Sequence, residues 1–166
     1  MVRIIKMSFL KKLAADIGIF AVLSIVITLL SFILPYSCFH YENWMFKQRK
    51  WEKNGKFYQN IFKVKLWKDK LPELADFIKF AFPKKFIKEF KGEFLSKYIK
   101  ESCRAELVHW IIICSSIIFL FFNDISTFII MVIIDVMLNI PFIIIQRYNR
   151  PRIISIMKHK GMAVQL

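Results

Sequence analysis

"LVHWIIICSSIIFLFFNDISTFIIMVIIDVMLNIPFIII" fills residues 107–145 and determines how this chain is built. Two apolar runs, Leu107–Phe122 and Phe128–Ile145, flank the polar turn Asn123–Thr127. Runs of this length and composition are typical of helices in a bilayer, and a turn of five residues joins antiparallel neighbours. We therefore predict a transmembrane helical hairpin, in which the beginning of the first helix and the end of the second emerge at the same membrane face.

A third apolar run lies near the N-terminus. Ile17–Leu34 contains 18 residues and no charge, enough for a transmembrane helix, and it follows Arg3, Lys6, Lys11 and Lys12. A basic start followed by an apolar run also describes a secretory signal peptide. Because the run is longer than a usual signal core and no clear small-x-small cleavage site follows it, we favour a retained signal anchor.

Three spanning helices would place the two basic ends of the chain on opposite membrane faces. The positive-inside rule cannot then hold for both ends. Either one end departs from the rule, or the chain contains a re-entrant piece. The expected fold is an all-α integral membrane protein with about three transmembrane helices, which crosses the cell membrane several times.

The segment between the first helix and the hairpin, residues 35–106, is basic and rich in aromatic residues. It holds 17 of the 26 Lys and Arg residues and 9 of the 12 Asp and Glu residues. Over residues 84–98, Phe86, Phe90 and Phe94 recur every four positions, and lysines occupy much of the opposite side. This spacing predicts an amphipathic helix, which lies either in the membrane interface or against the rest of the middle segment.

The composition narrows the class of partner. The chain is 57% hydrophobic and 16% aromatic, yet its formal net charge is +14. The charges lie between long apolar blocks, so the expected anionic partners are lipid head groups or a phosphorylated substrate rather than nucleic acid. Cys38, Cys103 and Cys114 have no metal-ligand spacing, and we predict no metal site.

A carboxylate and a histidine lie on one face at the entry of the hairpin. If residues 101–110 are helical, Glu106 and His109 are three positions apart and adjacent on the surface, and Arg104 can pair with Glu101. A carboxylate beside a histidine can orient the ring and raise its basicity, as a general base requires. The structural alternative is that the pair only bonds to neighbouring groups where the helix enters the membrane.

The last helix carries a polar stripe. At 3.6 residues per turn, Asp135, Asn139, Gln146 and Arg150 fall within roughly 60° of one another around the axis. A charge as deep as Asp135 costs roughly 2.5–3.5 kcal/mol on insertion scales, so it faces the bundle interior and either marks a site or bonds two helices together. We expect Pro151 to end this helix near Arg150.

The helix ends in "QRYNRPR", residues 146–152. Arginines at such a place most often anchor a helix among lipid head groups. The stripe that continues into the membrane, and the Glu106–His109 pair at the facing end of the partner helix, favour a site for an anionic substrate instead.

Three motifs identify a family. "WEKNGKFYQNIFKVKLWKDKLPE" (residues 51–73), "ESCRAELVHW" (101–110) and "NIPFIIIQRYNRPR" (139–152) resemble the glycosyl-4,4'-diaponeurosporenoate acyltransferase family of the staphyloxanthin pathway. The resemblance implies an integral membrane enzyme that moves a fatty acyl group onto a sugar hydroxyl of a glycosylated carotenoid. The middle loop and both tails match less well.

With this resemblance, we predict a membrane O-acyltransferase acting on a glycosylated lipid. His109 is expected to take the proton from the acceptor hydroxyl, with Glu106 orienting it. The predicted substrate-binding residues surround this pair: Arg104, Asn139, Gln146, Arg147, Tyr148, Asn149, Arg150 and Arg152. Of these, Arg104, Arg147 and Arg150 would bind donor phosphates or the oxyanion, and Gln146 and Asn149 would position the sugar.

The predicted organisation has four parts. Residues 1–34 form the basic start and signal-anchor helix, 35–106 the middle segment, 107–152 the hairpin with its polar cluster, and 153–166 a basic tail. We expect no bound cofactor, acyl-CoA or another acyl donor as co-substrate, and membrane lipids as surroundings. The alternative is a non-catalytic membrane scaffold or lipid-binding subunit.

Overall fold

The computed structural model describes residues 9–77, 79, 81–84 and 91–164. These residues form helices, turns and loops, with no strand among them. The α-helices are α1 (Phe9–Ser31), α2 (Lys56–Phe62), α3 (Leu74–Phe77), α4 (Gly92–Ser115) and α5 (Ile125–His159). Short 3₁₀ turns lie at Tyr36–Cys38, Lys50–Gly55, Val64–Leu66, Lys68–Lys70 and Ser116–Phe121.

The predicted hairpin is formed by α4 and α5. The 3₁₀ turn Ser116–Phe121 extends α4, and α5 begins at Ile125. Asp124 caps α5, since its carboxylate accepts from the Thr127 backbone N–H at 3.1 Å and from the Thr127 hydroxyl at 2.9 Å. Such a cap satisfies N–H groups that have no partner within the helix. The connection is therefore shorter than the five-residue polar turn in the sequence.

Three described helices are long and apolar enough to cross a membrane: Lys11–Ser31, Gly92–Phe121 and Ile125–His159. The first packs against α4, and most of its apolar side chains, such as Val22 and Ile25, are exposed. An apolar surface of this kind suits contact with lipid. The predicted all-helical class with three such helices is confirmed.

The prediction that Pro151 ends the last helix is wrong. Helix α5 contains both Pro141 and Pro151 and continues to His159. Beyond Pro151, Ile153 and Met157 are buried against Leu95, Tyr98 and Ile99 of α4. This packing offsets the loss of one helical hydrogen bond at a proline. The beginning of the predicted basic tail is therefore part of the packed hairpin.

The part of the middle segment that precedes α4 folds back onto the hairpin. Tyr58 and Val64 form a buried cluster with Ile144 and Tyr148 of α5. Of the predicted amphipathic helix over residues 84–98, positions 85–90 lie outside the described residues. The part from Gly92 onward belongs to α4, where Phe94 and Tyr98 pack in the protein interior.

Candidate active site

A cavity of about 320 Å³ opens between the end of α1, the middle segment, α4 and α5. Its volume lies at the lower end of the range for small-molecule sites. Apolar side chains from all four parts line it, and so do polar groups predicted as site residues: Arg104, His109, Gln146 and Asn149. The short connection between α4 and α5 brings these groups together, because it makes the start of one helix the neighbour of the end of the other.

His109 is held by α5 rather than by its own helix. Its Nδ1 lies 2.7 Å from Asn139 Oδ1, and its ring stacks on Phe142 with ring centres 4.8 Å apart. Asn139 Nδ2 donates to Asp135 Oδ1 at 2.6 Å, and Asp135 Oδ2 lies 2.7 Å from Ser116 Oγ. A chain of four polar side chains thus runs from the interior of the α4–α5 hairpin to the cavity wall.

Glu106 has partners other than the predicted one. In the described part of the chain it makes no hydrogen bond to His109. Instead, Glu106 Oε1 accepts from Arg147 Nε at 2.7 Å, and Glu106 Oε2 accepts a short bond from Arg150 Nη2. The carboxylate is fully buried. Spacing along the helix placed Glu106 and His109 on one face but could not show that two arginines of α5 would take the carboxylate.

Arg147 and Arg150 also bind the middle segment. Arg147 donates to Glu52 Oε1 at 3.1 Å and to the carbonyl oxygen of Met45, while Arg150 donates to the carbonyl oxygen of Phe46 at 3.0 Å. Two carboxylates and two guanidinium groups therefore form a buried ion-pair cluster, which we call the arginine cluster: Glu52, Glu106, Arg147 and Arg150. It joins α4, α5 and the middle segment beside the cavity.

The loop Lys50–Gly55 delivers Glu52 to this cluster. Lys53, Asn54 and Gly55 have φ angles of 45°, 55° and 80°, and this left-handed turn directs Glu52 inward. Glu52 also accepts from the Arg49 backbone N–H at 2.5 Å and from the Tyr58 hydroxyl at 2.6 Å. Burial, with the adjacent Glu52 carboxylate, raises the pKa of Tyr58, so its hydroxyl stays protonated and remains a donor.

Arg104 stands in a second ion pair at the cavity wall. It donates to Glu101 at 2.8 Å, as the sequence predicted, and the Tyr36 hydroxyl donates to the same oxygen at 2.7 Å. The guanidinium lies 4.8 Å from the ring centre of Tyr36 and 5.0 Å from that of Phe39. Aromatic rings at these distances stabilise a cation.

Two polar atoms at the cavity have no partner. Among the described residues, Arg104 Nε and Gln146 Oε1 are buried without a hydrogen bond, and both side chains line the cavity. An unsatisfied buried donor or acceptor costs about 1–3 kcal/mol. Both atoms are shielded from solvent, so they are buried polar positions in the cavity wall with no partner among the described residues.

The remaining predicted residues lie away from the cavity. Asn139 stands behind His109 and bonds to it. Tyr148 is buried in the cluster with Tyr58 and Val64, and the exposed Arg152 lies over the Tyr148 ring at 4.8 Å. A smaller cavity of about 220 Å³ is lined by Arg147 and Arg150 together with side chains of the middle segment.

Sequence reasoning missed several residues of the site. Ser116 and Tyr36 carried no signal, because a lone hydroxyl near an apolar run has many structural uses. Glu52 lay in a motif that supported the family resemblance, and this was the one signal that could have found it.

Lys84 also lines the cavity, and burial lowers the pKa of its ammonium group.

The comparisons with known proteins agree with the motifs. The family model for glycosyl-4,4'-diaponeurosporenoate acyltransferase matches residues 42–159. This chain belongs to that family. The match includes the whole arginine cluster, His109 and the polar stripe of α5. Family membership makes the chain an acyltransferase and disfavours the non-catalytic alternative.

Curated relatives carry the same name. A glycosyl-4,4'-diaponeurosporenoate acyltransferase of Staphylococcus haemolyticus (strain JCSC1435) is 36% identical over 119 residues, covering 72% of this chain and 69% of the relative. One of Staphylococcus aureus (strain N315) is 34% identical over 133 residues, covering 77% and 79%. Another, of Staphylococcus aureus (strain bovine RF122 / ET3-1), is 33% identical over 131 residues with the same coverage. No solved structure matches the chain.

Proposed function

We propose that this acyltransferase moves a fatty acyl group from an activated donor onto a sugar hydroxyl of a glycosylated lipid in the cell membrane. The names of the relatives support a glycosyl carotenoid as the acceptor. Three apolar helices beside the cavity support a lipid substrate, since its chain can lie along them while the sugar enters the polar end.

The observation that carries the proposal is the environment of His109. Its Nδ1 is bonded to Asn139, and its ring lines a cavity whose wall also contains the side chains of Arg104 and Gln146. Nε2 is then the nitrogen left to take a proton. A positioned base beside donors for a developing negative charge is the equipment that acyl transfer to a hydroxyl needs.

In the proposed mechanism, His109 Nε2 removes the proton from the sugar hydroxyl as its oxygen attacks the acyl carbonyl carbon. The carbonyl π electrons move to oxygen, and Arg104 stabilises this oxyanion. When the carbonyl forms again, the bond to the leaving group breaks, and the imidazolium returns the proton to that group. The products are the sugar ester and the free carrier.

Gln146 and Asn149 are proposed to hold the acceptor. Gln146 accepts from a sugar hydroxyl through its side-chain amide oxygen, and Asn149 supplies a second polar contact at the cavity wall. Lys68, Lys84 and Arg104 line the cavity together with Asp69, Glu73 and Glu101, so its basic groups are matched by acidic ones. From the reaction type, we propose acyl-CoA or another activated acyl carrier as the donor.

The structure changes the roles proposed for Arg147 and Arg150. Their donors are engaged by two carboxylates and by carbonyl oxygens of the middle segment. We therefore propose that they hold the cavity wall in place, and that Arg104 is the arginine which meets the substrate.

The test is product identification with purified protein in detergent. An acyl-CoA would be offered with a glycosyl carotenoid, with the same carotenoid lacking its sugar, and with a simple alkyl glycoside. We expect a sugar ester by mass spectrometry from the first, none from the second, and a weaker yield from the third. Ester formation on the sugar-free carotenoid, or hydrolysis of the donor without any ester, would contradict the proposal.

A further inference from the structure

We propose that Asp135 is a positioning residue: through Asn139 it keeps the proton of His109 on Nδ1 and leaves Nε2 free as the base. The catalytic consequence rests on the proposed function, whereas the proton position does not. Asp135 lies inside the last span and is fully buried, so its carboxyl group acts on its neighbours and not on solvent.

Asp135 determines which way the side-chain amide of Asn139 points. Its Nδ2 lies 2.6 Å from Asp135 Oδ1 and 3.0 Å from the Asp135 backbone oxygen. Asp135 Oδ1 accepts a hydrogen bond whether the carboxyl group is ionised or carries its proton on Oδ2. A backbone oxygen can only accept. The amide end that faces Asp135 must therefore be the NH₂ group, and the amide oxygen must face His109.

The amide oxygen of Asn139 determines which ring nitrogen of His109 carries the proton. Asn139 Oδ1 lies 2.7 Å from His109 Nδ1 and cannot donate. A hydrogen bond at this distance requires the proton on Nδ1, so in the neutral ring the lone pair is on Nε2. Free histidine prefers the opposite tautomer. Phe142, stacked on the ring at 4.8 Å, restricts the ring's rotation away from this partner.

The orientation of the Asn139 amide does not require a charge on Asp135. Ser116 Oγ lies 2.5 Å from the Ile113 carbonyl oxygen and 2.7 Å from Asp135 Oδ2, but its hydroxyl has one proton. If that proton goes to Asp135, the carboxylate accepts at both oxygens. If it goes to Ile113, a protonated Asp135 donates to Ser116. In both cases Oδ1 accepts from Asn139.

The direction of these hydrogen bonds defines a conservative variant, Asp135→Asn. In Asp135→Asn, the new amide oxygen can still accept from Asn139 while its NH₂ group donates to Ser116 Oγ. In Asp135→Leu, the side-chain acceptor is gone and only the backbone oxygen remains to hold the amide. Asn139→Leu removes the acceptor that faces the ring altogether.

The experiment is ¹⁵N NMR of His109 in the detergent-solubilised full chain, with His40→Gln and His159→Gln in the background so that one histidine remains. We expect wild-type Asp135 and Asp135→Asn to show a protonated Nδ1 and an unprotonated Nε2 near neutral pH. We expect Asp135→Leu to show a mixture and Asn139→Leu to show mainly the opposite tautomer. A proton on Nε2 with Asp135 present, or an unchanged tautomer in Asp135→Leu, would overturn the proposal.

Acyl-transfer kinetics form the second readout. Asp135→Leu should lower kcat by less than the roughly 10²–10⁴-fold that loss of a positioned base costs, because a mixture of tautomers still leaves Nε2 free in part of the molecules. KM should change little, and Asp135→Asn should restore most of the rate. Equal loss in the two variants would overturn the polarity argument. If the tautomers are as predicted but the His109→Gln enzyme is active, Asp135 still positions the ring, and His109 is not the base.

Discussion

Glu106 balances the charge of two arginines from a position that is itself shielded from solvent. Its side chain is fully buried, and the side chains of Arg147 and Arg150 are 13% and 3% exposed. Buried ions of this kind are stable only when each has its partner, because desolvation costs several kcal/mol per ion. The cluster as a whole is neutral, with Glu52 as the second carboxylate.

We predict that Glu106→Gln lowers the free energy of unfolding by about 3–5 kcal/mol, the scale of breaking a buried pair by removing one partner. Thermal or denaturant unfolding in detergent would measure it. Glu93→Gln is the matched control, since Glu93 is an exposed glutamate in the first turn of the same helix. Equal stability of the two variants would show that the arginines do not depend on Glu106.

Gly55 lies where the backbone of the middle segment comes close to the last helix. Its φ is +80°, and a Cβ there would lie 2.7 Å from the Tyr148 backbone oxygen. A side chain therefore meets both a left-handed backbone and a clash with another backbone, which has little freedom to move.

Gly55→Ala is predicted to destabilise the chain by more than the roughly 1–2 kcal/mol of a left-handed alanine alone. Gly161→Ala provides the comparison, because Gly161 has a φ of +65° but nothing within 4 Å of the position that a Cβ would take. Unfolding of both variants in detergent separates the clash from the backbone cost. If the two lose the same stability, the close approach to Tyr148 is not a constraint.

At the scale of elements, α5 is held by packing at its far end. Met157 is fully buried with Leu95, Tyr98 and Ile99, in the part of the helix that follows Pro151. Deleting a buried methionine side chain removes its transfer free energy and leaves a cavity.

We expect Met157→Ala to cost about 2–5 kcal/mol of unfolding free energy. The neighbouring Lys158 is exposed, so Lys158→Ala should change stability little. A flexible basic tail would tolerate both substitutions equally, and that outcome would argue against a helix that continues through Pro151.

The elements themselves could be predicted from the sequence to the extent that hydropathy controls them. The apolar blocks around Asn123–Thr127 predicted the hairpin, and antiparallel packing then predicted that the Glu106–His109 region would meet Gln146–Arg150; the ion pairs of Glu106 confirm this. The end of α5 could not be predicted, because the local effect of Pro151 was outweighed by contacts with residues far away in sequence.

The partners within the site were harder to predict than its location. Helical spacing shows which side chains share a face, but a bond across two helices depends on side-chain reach and on burial. Glu106 therefore bonds to arginines and His109 to Asn139, against the predicted pairing. Glu52 comes from a loop whose left-handed turn is set by tertiary contacts rather than by hydropathy.

At the scale of the whole molecule, the exposed apolar surface requires a lipid environment. We predict that the chain sediments with membranes, stays there after washing with high salt or alkaline carbonate, and is released by detergent. The three helices Lys11–Ser31, Gly92–Phe121 and Ile125–His159 give the reason. Release by carbonate alone would mean that the chain lies on the membrane surface and does not cross it.

The most direct test of the proposed mechanism is the turnover of His109→Gln. Purified wild-type protein, His109→Gln and the exposed-histidine control His159→Gln would be compared across pH with one acyl donor and one glycosylated lipid acceptor. Because the neutral ring is the proposed base, the wild-type rate should fall on the acid side with a single proton dependence. His109→Gln should lose on the order of 10²–10⁴-fold in turnover, with folding and membrane insertion unchanged, while His159→Gln keeps the wild-type profile. Near wild-type turnover of His109→Gln, with the same acid limb, would contradict the proposed mechanism.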